Sequence, residues 1–228
     1  MNASAATPLI QAQQLGKHIT TPEGDLLILN HIDLNINAGE TVAIMGRSGS
    51  GKSTLLGLLA GLDKPTTGKI SLAGKILNDL DEDARARIRC AHVGFVFQQF
   101  HLLPVFTALE NVMLPLELKG IANAKEQAQL WLERVGLTNR MTHTPKQLSG
   151  GEQQRVAIAR AFAVQPSIVF ADEPTGNLDA HTSEKIVELI FNVQREQNTT
   201  LILVTHDQQL AKQCMRSILL EAGELVKS

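Results

Sequence analysis

Cysteine is scarce. The chain of 228 residues has two, Cys90 and Cys214, with neither metal-type spacing nor a disulfide framework around them. Two free, buried thiols in a reducing compartment are the expectation. Charge of one sign is also lacking: 21 basic and 23 acidic residues are well mixed and leave a net charge of −2, which argues against nucleic acid as the main partner. Long hydrophobic runs are missing too. The longest apolar-rich stretch, Leu55 to Leu62, is far below the ~20 residues that cross a bilayer, so a membrane role has to be borrowed from a partner. The opening MNASAATPLI has neither a basic nor an apolar region of signal-peptide type. Aromatics are the last shortage: there is no tyrosine, one tryptophan (Trp131), and no ring of the Phe, Tyr or Trp type before Phe95. With 43% hydrophobic residues the length suits one sizeable α/β domain with a subsidiary lobe.

What is present is organised around Gly46 to Ser53, GRSGSGKS. It fits G-x-x-x-x-G-K-[S/T], the loop that wraps the phosphates of a nucleoside triphosphate. Thr41–Met45 before it reads as a short buried strand, and Ser53 to Leu62 after it as a helix. The glycines let backbone N–H groups converge on phosphate, and the positive helix end adds its dipole. Lys52 is expected on the β and γ phosphates and the Ser53 hydroxyl on magnesium.

Leu9 to Leu15 reads as a strand, Pro22–Asp25 as a turn, and the alternation Ile32, Leu34, Ile36 as a half-buried strand. Gly68–Leu77 reads as a hairpin about Gly74, Asp83–Cys90 as a helix, and Val93–Phe97 as a strand followed at once by Gln98. From Thr107 to Val135 the pattern is helical, with Pro115 a break and Gly136 a stop; Pro145 closes this stretch. Ser149 and Glu152 have capping-box spacing. Ser167–Ala171 reads as a buried strand, Ile186, Leu189, Ile190 and Val193 as the core stripe of a helix, and Thr200–Thr205 as a further strand leading to His206. Gly223 marks a turn between Ile218–Leu220 and Leu225–Val226. Strand alternating with helix in this half implies a parallel sheet covered on both faces.

A phosphate loop needs a second strand that ends in a carboxylate to hold magnesium. Ile168–Ala171 followed by Asp172 supplies it, and Glu173, one step on, is placed to orient or deprotonate the attacking water. The plainer reading is an acidic pair opening a turn before Pro174. The most discriminating stretch is LSGGEQQR, Leu148 to Arg155. Two glycines at a helix start leave bare N–H groups, a second anion site that one triphosphate does not need. Ser149, Gly150 and Gly151 then serve a nucleotide held mainly by another subunit, although Ser149 caps its helix in either case.

With LSGGEQQR, GRSGSGKS and the strand ending in Asp172–Glu173 in this order, the chain resembles ATP-binding-cassette (ABC) proteins over nearly its whole length. Gln98 matches that family's Q-loop glutamine, Gly176–Asp179 its D-loop and His206 its switch histidine. The resemblance implies an α/β fold: a P-loop NTPase (RecA-like) core with an antiparallel β subdomain and an inserted α-helical subdomain. That places the core in residues 1–97 and 156–228 and the helical part in 98–155. It further implies a head-to-tail homodimer with two ATP molecules at its interface. Each is bound by Gly46, Arg47, Ser48, Gly49, Ser50, Gly51, Lys52, Ser53 and Thr54 of one copy and covered by Ser149, Gly150, Gly151 and Asp179 of the other. Glu173, His206 and Gln98 are the implied catalytic residues, and Ser53, Gln98 and Asp172 the implied Mg2+ ligands. DEPTGNLD, GFVFQQFHLLP and TALENV are similar to the subfamily serving lipoprotein release, macrolide export and cell division. This implies an integral permease partner in a bacterial inner membrane, with the chain on its cytoplasmic face, and export, extraction or mechanotransmission rather than solute import. Phe100, Leu102, Leu103 and Phe106 line either a groove for a permease helix or the core of the helical part.

Two other classes compete. Soluble ABC ATPases of DNA repair, chromosome organisation or translation typically carry coiled-coil or zinc insertions or a second cassette, none of which this chain has. In an unrelated phosphate-loop kinase or GTPase, LSGGEQQR has no task. One departure from the resembled family carries a prediction. Such proteins usually stack adenine on an aromatic upstream of the phosphate loop, and here only His18 or Ile19 is placed to touch the base. Base stacking is worth about 1–3 kcal/mol in single-strand complexes, so GTP is expected to compete with ATP better than is usual. A nucleotide competition assay checks this, and a strong ATP preference rejects it.

Overall fold

The computed structural model describes residues 7–21 and 24–226. Residues 1–6 of the opening segment, and Pro22 and Glu23 of the expected turn, lie outside the described residues. In chain order the elements are β1 (Ile10–Thr21), β2 (Gly24–Ile36), β3 (Thr41–Met45), α1 (Lys52–Leu59), β4 (Thr67–Leu72), β5 (Lys75–Ile76), α2 (Glu82–His92), β6 (Val93–Phe97), α3 (Ala108–Leu118), α4 (Ala124–Arg134), α5 (Gly150–Ala163), β7 (Ile168–Asp172), α6 (Ala180–Gln197), β8 (Thr200–Val204), α7 (Gln208–Ala211), β9 (Arg216–Glu221) and β10 (Glu224–Val226). The chain divides into two units, residues 1–89 with 200–228 and residues 90–199.

The first unit has two sheets. Strands β2-β1-β4-β5 form an antiparallel sheet. Its long β1–β2 hairpin closes with Thr21 opposite Gly24 and is irregular between Ala12 and His18. The expected hairpin about Gly74 is present, and Ala73 and Gly74 both take positive φ (49° and 75°), as its two-residue turn demands. In the second sheet β3 lies parallel to both β8 and β9, and β10 closes antiparallel on β9. From Thr41 to Ile44 and throughout β8 every residue is buried, which is why both read as unbroken apolar runs rather than alternations. Helix α1 buries Leu55, Leu56, Leu58 and Leu59. It ends at Leu59, short of the expected Leu62, because Gly61 turns left-handed and Leu62 N–H bonds back to Gly57 O at 2.8 Å.

In the second unit β6 and β7 pair in parallel, with Phe97 opposite Asp172. Helix α5 packs on β6, and α3 and α4 pack on each other and on α5. Gly94 permits the close approach of β6 to α5, since a Cβ there would lie 2.6 Å from Ala161 O. The core of this unit includes Ala108, Val112, Leu116, Trp131, Leu132, Ile158 and Phe162. Pro115 does not break the helix as the sequence suggested: α3 runs through it to Leu118. The helix is secured upstream by a reciprocal Thr107–Glu110 capping box, so the single N–H that proline lacks is tolerated one turn before the end. The stop is set by Gly120 (φ 78°), with Ile121 N–H bonding to Leu116 O at 3.0 Å. Gly136 ends α4 in the same way, as expected. The cysteines are both free, but Cys90 is exposed rather than buried. It sits on α2, a largely polar helix whose one buried residue is Arg85.

Gly68 offers a test of the first unit. Its φ is +78°, and a Cβ there would clash with the Gln14 carbonyl. The left-handed backbone penalty of about 1–2 kcal/mol adds to an overpacking cost of about 1–3 kcal/mol. Gly68→Ala is therefore expected to lower stability by about 2–5 kcal/mol, read as a lower urea midpoint at constant slope. An unchanged midpoint contradicts this packing.

Candidate nucleotide site

In the first unit the chain leaves β3 through Gly46–Ser53 into α1. Gly49 (φ 78°) and Gly51 (φ 98°) adopt backbones that side-chain-bearing residues rarely take. A Cβ on Gly46 would strike the Leu220 carbonyl, and one on Gly51 would lie 2.9 Å from Ile28 O, so β9 and β2 press directly on the loop. Lys52 Nζ rests on the carbonyls of Gly46 and Arg47, at 2.9 Å each. Gly51 caps α1 with no side-chain acceptor and no acid follows in the first turn, unlike α3 and α5, which have capping boxes. The positive end of α1 is thus left for an anion. Ser50 is buried, and its Oγ has no protein partner among the described residues. Beside the loop lies a cleft of ≈460 Å³ lined by Arg47, Ser48, Gly49, Ser50, Glu221 and Ala222. Ser53 is exposed and Thr54 half-buried at the start of α1.

His206 reaches the same region through the sheet. Strand β8 runs beside β3, and Thr205 N–H donates to Ile44 O at 3.2 Å, so His206 and Gly46 leave the carboxyl ends of adjacent parallel strands. Ligands in open α/β sheets sit at that end. His18 and Ile19 lie near the tip of the β1–β2 hairpin, opposite Leu27 and Leu26, and all four are exposed.

The second unit gathers the other expected residues. Because Phe97 pairs with Asp172, Gln98 and Glu173 emerge side by side from β6 and β7. Glu173 has a left-handed backbone (φ 45°), rare outside glycine. Gln98 and Asn177 form a reciprocal pair: Gln98 Nε2 donates to Asn177 Oδ1 (3.2 Å) and Asn177 Nδ2 to Gln98 O (3.0 Å). Gly176 accommodates this, as a Cβ there would lie 2.7 Å from Gln98 Nε2. Asp179 is the N-cap of α6, accepting from Thr182 N–H at 3.0 Å, and the Thr182 contact holds its carboxyl below the usual range.

Ser149 caps α5 in the expected box with Glu152, accepting from Glu152 N–H while Glu152 Oε2 accepts from Ser149 N–H and Oγ–H. Arg140 Nε donates to Glu152 Oε1 at 2.8 Å; this bond and those from Ser149 lower the Glu152 pKa to about 2. Gly151 is required by packing: a Cβ there would lie 2.6 Å from Thr182 Cγ2 of α6.

Three residues carry structure that the sequence did not reveal. Asn111, buried in α3, accepts from Leu103 N–H at 2.8 Å and donates to the carbonyls of Leu103, Phe106 and Thr107. Arg160 donates to the carbonyls of His101 (2.6 Å) and Phe100 (2.9 Å), and burial lowers its pKa. Gln154 sits fully buried on α5. Only Gln154 left a signal, a polar residue in helical step with Ile158 and Ala161. Between them Asn111 and Arg160 hold the 100–106 segment in place. Phe100, Leu102 and Phe106 are half-buried and Leu103 is exposed, so these four are not the core of the second unit.

Comparison with known proteins places this geometry. The ABC transporter family matches residues 29–176. The chain is 52% identical over 222 residues to the ABC transporter ATP-binding protein YbbA of Escherichia coli K12, covering 96% of this chain and 97% of that one. It is 48% identical to the lipoprotein-releasing system ATP-binding protein LolD of Hahella chejuensis, covering 97% of each. Among solved structures it superposes on the dimeric post-hydrolysis state of the ATP-binding cassette MJ0796 bound to ADP and Pi, with a TM-score of 0.89, 43% identity, and 96% and 97% of the two chains covered.

The head of α5 makes a pH prediction. The folded-state pKa of Glu152 lies below its ordinary 4.5, so its stabilising contribution is complete above that value and is lost as the pH falls towards about 2. Arg140 is half-exposed, so Arg140→Met is expected to cost about 0.5–1 kcal/mol at neutral pH. It is also expected to flatten the loss of stability between those two pH values. Urea unfolding across that range checks both, and an identical pH profile in the variant contradicts the pairing.

Proposed function

The chain belongs to the ABC transporter family, and from that premise we propose that it is one of two identical ATP-hydrolysing subunits that close head to tail on ATP to drive an integral membrane permease. ATP binding and hydrolysis are the family's chemistry. The observation that carries the two-copy reading is the second glycine-led helix start. Gly150 and Gly151 open α5 beside an exposed Ser149, in the unit that does not contain Gly46–Ser53. A single triphosphate uses one such helix end. The solved relative MJ0796 is dimeric, which supports the same arrangement.

In this reading Gly46–Thr54 bind the phosphates, with Lys52 moving from the Gly46 and Arg47 carbonyls onto the β and γ groups. Ser149, Gly150, Gly151 and Asp179 cover the nucleotide of the twin. Glu173 orients and deprotonates the attacking water, and His206 holds the γ-phosphate and that water in place. Among the described residues no cluster of three or more His, Cys, Asp or Glu is suited to a metal. The Ser53 hydroxyl, the Asp172 carboxylate and the Gln98 amide oxygen are hard oxygen donors, few in number, a set that suits Mg2+ shared with phosphate. Held by these residues, Mg2+ would neutralise charge on the phosphate oxygens.

The permease supplies the membrane. No helix among the described residues is long and apolar enough to cross one. We assign the chain to the cytoplasmic face of a bacterial inner membrane, with the segment Phe100–Phe106 receiving the permease and Gln98 sensing it. The likeness to LolD and YbbA favours extraction, export or mechanotransmission over solute import. ATP holds the two copies together, and hydrolysis removes the shared γ-phosphate contacts and lets them part.

Glu173→Gln is expected to keep ATP binding, slow turnover by roughly 10²–10⁴, and accumulate an ATP-bound dimer by size-exclusion chromatography with light scattering. An ATP-loaded monomer with undiminished turnover overturns both the base and the dimer.

A further inference from the structure

Gln154 is fully buried on the inner stripe of α5, and its amide is only half used. Nε2 donates to Pro174 O at 2.7 Å, while Oε1 is buried with no protein partner among the described residues. A buried amide with one unpaired end is a poor stabilising element, and a leucine of similar size avoids its desolvation cost. What the glutamine contributes is the bond to Pro174. That peptide follows Glu173, whose left-handed backbone (φ 45°) persists only where its surroundings hold it. Among the hydrogen bonds that hold the turn are Gly176 N–H to Glu173 O at 3.0 Å, Leu178 N–H to Thr175 O at 3.1 Å, and Gln154 Nε2 to Pro174 O. The neighbouring Gln153 serves its own helix instead, donating to Leu148 O at 3.1 Å.

We propose that Gln154 is a positioning residue for hydrolysis, an amide strut through which the head of α5 sets the aim of Glu173. It lies little more than one helical turn from the Ser149 cap, on a helix that moves as a rigid rod over that distance. A shift of Ser149–Gly151 when they cover a nucleotide is therefore passed to the 173–176 turn. Covering one nucleotide and arming the carboxylate beside another become a single movement within one chain. The proposal rests on the reading above, in which Ser149–Gly151 cover a nucleotide and Glu173 handles the attacking water.

The test uses steady-state ATP hydrolysis by the purified full chain. Gln154→Leu removes the donor and the unpaired acceptor together. Its expected effect is a drop in kcat of about 10–100-fold, the scale of a small misplacement of a reacting group. KM for ATP should stay within about twofold, and the thermal midpoint should move by no more than a few degrees, because relief of the unpaired Oε1 offsets the donor lost to the Pro174 carbonyl. Gln154→Glu turns a charged acceptor towards the Pro174 carbonyl at high pH and regains a donor when protonated, so its turnover relative to the parent is expected to climb as pH falls from about 8 to 6. In a Glu173→Gln background, Gln154→Leu should slow hydrolysis no further, because it acts through the carboxylate already removed. Parental kcat in Gln154→Leu overturns the proposal, as does a loss of stability with turnover per folded molecule unchanged, or a full multiplicative loss in the double variant. If Glu173→Gln itself keeps full turnover, the assignment of the base fails, whatever Gln154 does. If Glu173→Gln is slow and Gln154→Leu is not, only the strut fails.

Discussion

The phosphate loop is shaped by backbone pressed on backbone. A side chain at Gly46 would meet the Leu220 carbonyl, and one at Gly51 or Gly223 the Ile28 carbonyl, at 2.9 and 2.5 Å. Asn30 N–H bonds to Gly223 O at 2.8 Å across the same junction. Strand β2, the loop and the β9–β10 turn thus meet at the backbone, with the Leu29 side chain also against Gly51. The loop is held in its curved form by the sheet around it, so a triphosphate bound there would not have to supply that ordering. Lys52, resting on the loop's own carbonyls, is the group left to move.

The second unit solves a similar problem with side chains. Residues from four separated segments converge at the carboxyl ends of β6 and β7: Gln98, the head of α5, the 173–179 turn and the start of α6. Gly176 lets Gln98 pair with Asn177, Gly151 lets α5 approach Thr182, and Gln154 ties α5 to Pro174. The Gln98–Asn177 and Gln154–Pro174 contacts join the turn after β7 to elements expected to meet different partners, the permease through Gln98 and the twin through Ser149. Tightly packed, bistable arrangements of this kind turn small displacements into a change of state.

The helix ends are sorted by use. Helices α3 and α5 carry reciprocal capping boxes and α6 an aspartate cap, which satisfy their own first N–H groups. Helix α1, which follows the phosphate loop, carries neither a cap nor an acid. At α5 the cap, Glu152 and Arg140 form one network, so its glycines are presented on a fixed helix head rather than a fraying one.

The sequence by itself determined the glycine-rich loop between β3 and α1, the strand ending in Asp172–Glu173, the LSGGEQQR cap, the family and the mixed α/β fold. The first three are local, written in spacing, periodicity and glycine placement over fewer than about a dozen residues, and the family and fold follow from their order along the chain. It misjudged Pro115, because the capping box at Thr107 and the stop at Gly120 decided where that helix ends. It misjudged Cys90, because the outer face of α2 and not the residue's own preference set its exposure. Only the tertiary structure could show that Gln98 pairs with Asn177, that Asn111 and Arg160 hold the 100–106 segment, or that Gln154 reaches the turn beside Glu173. Those contacts join positions 5 to 79 residues apart. Most of them end on backbone carbonyls, which every residue possesses, so no pattern of side-chain types records which carbonyl a buried amide or guanidinium will meet.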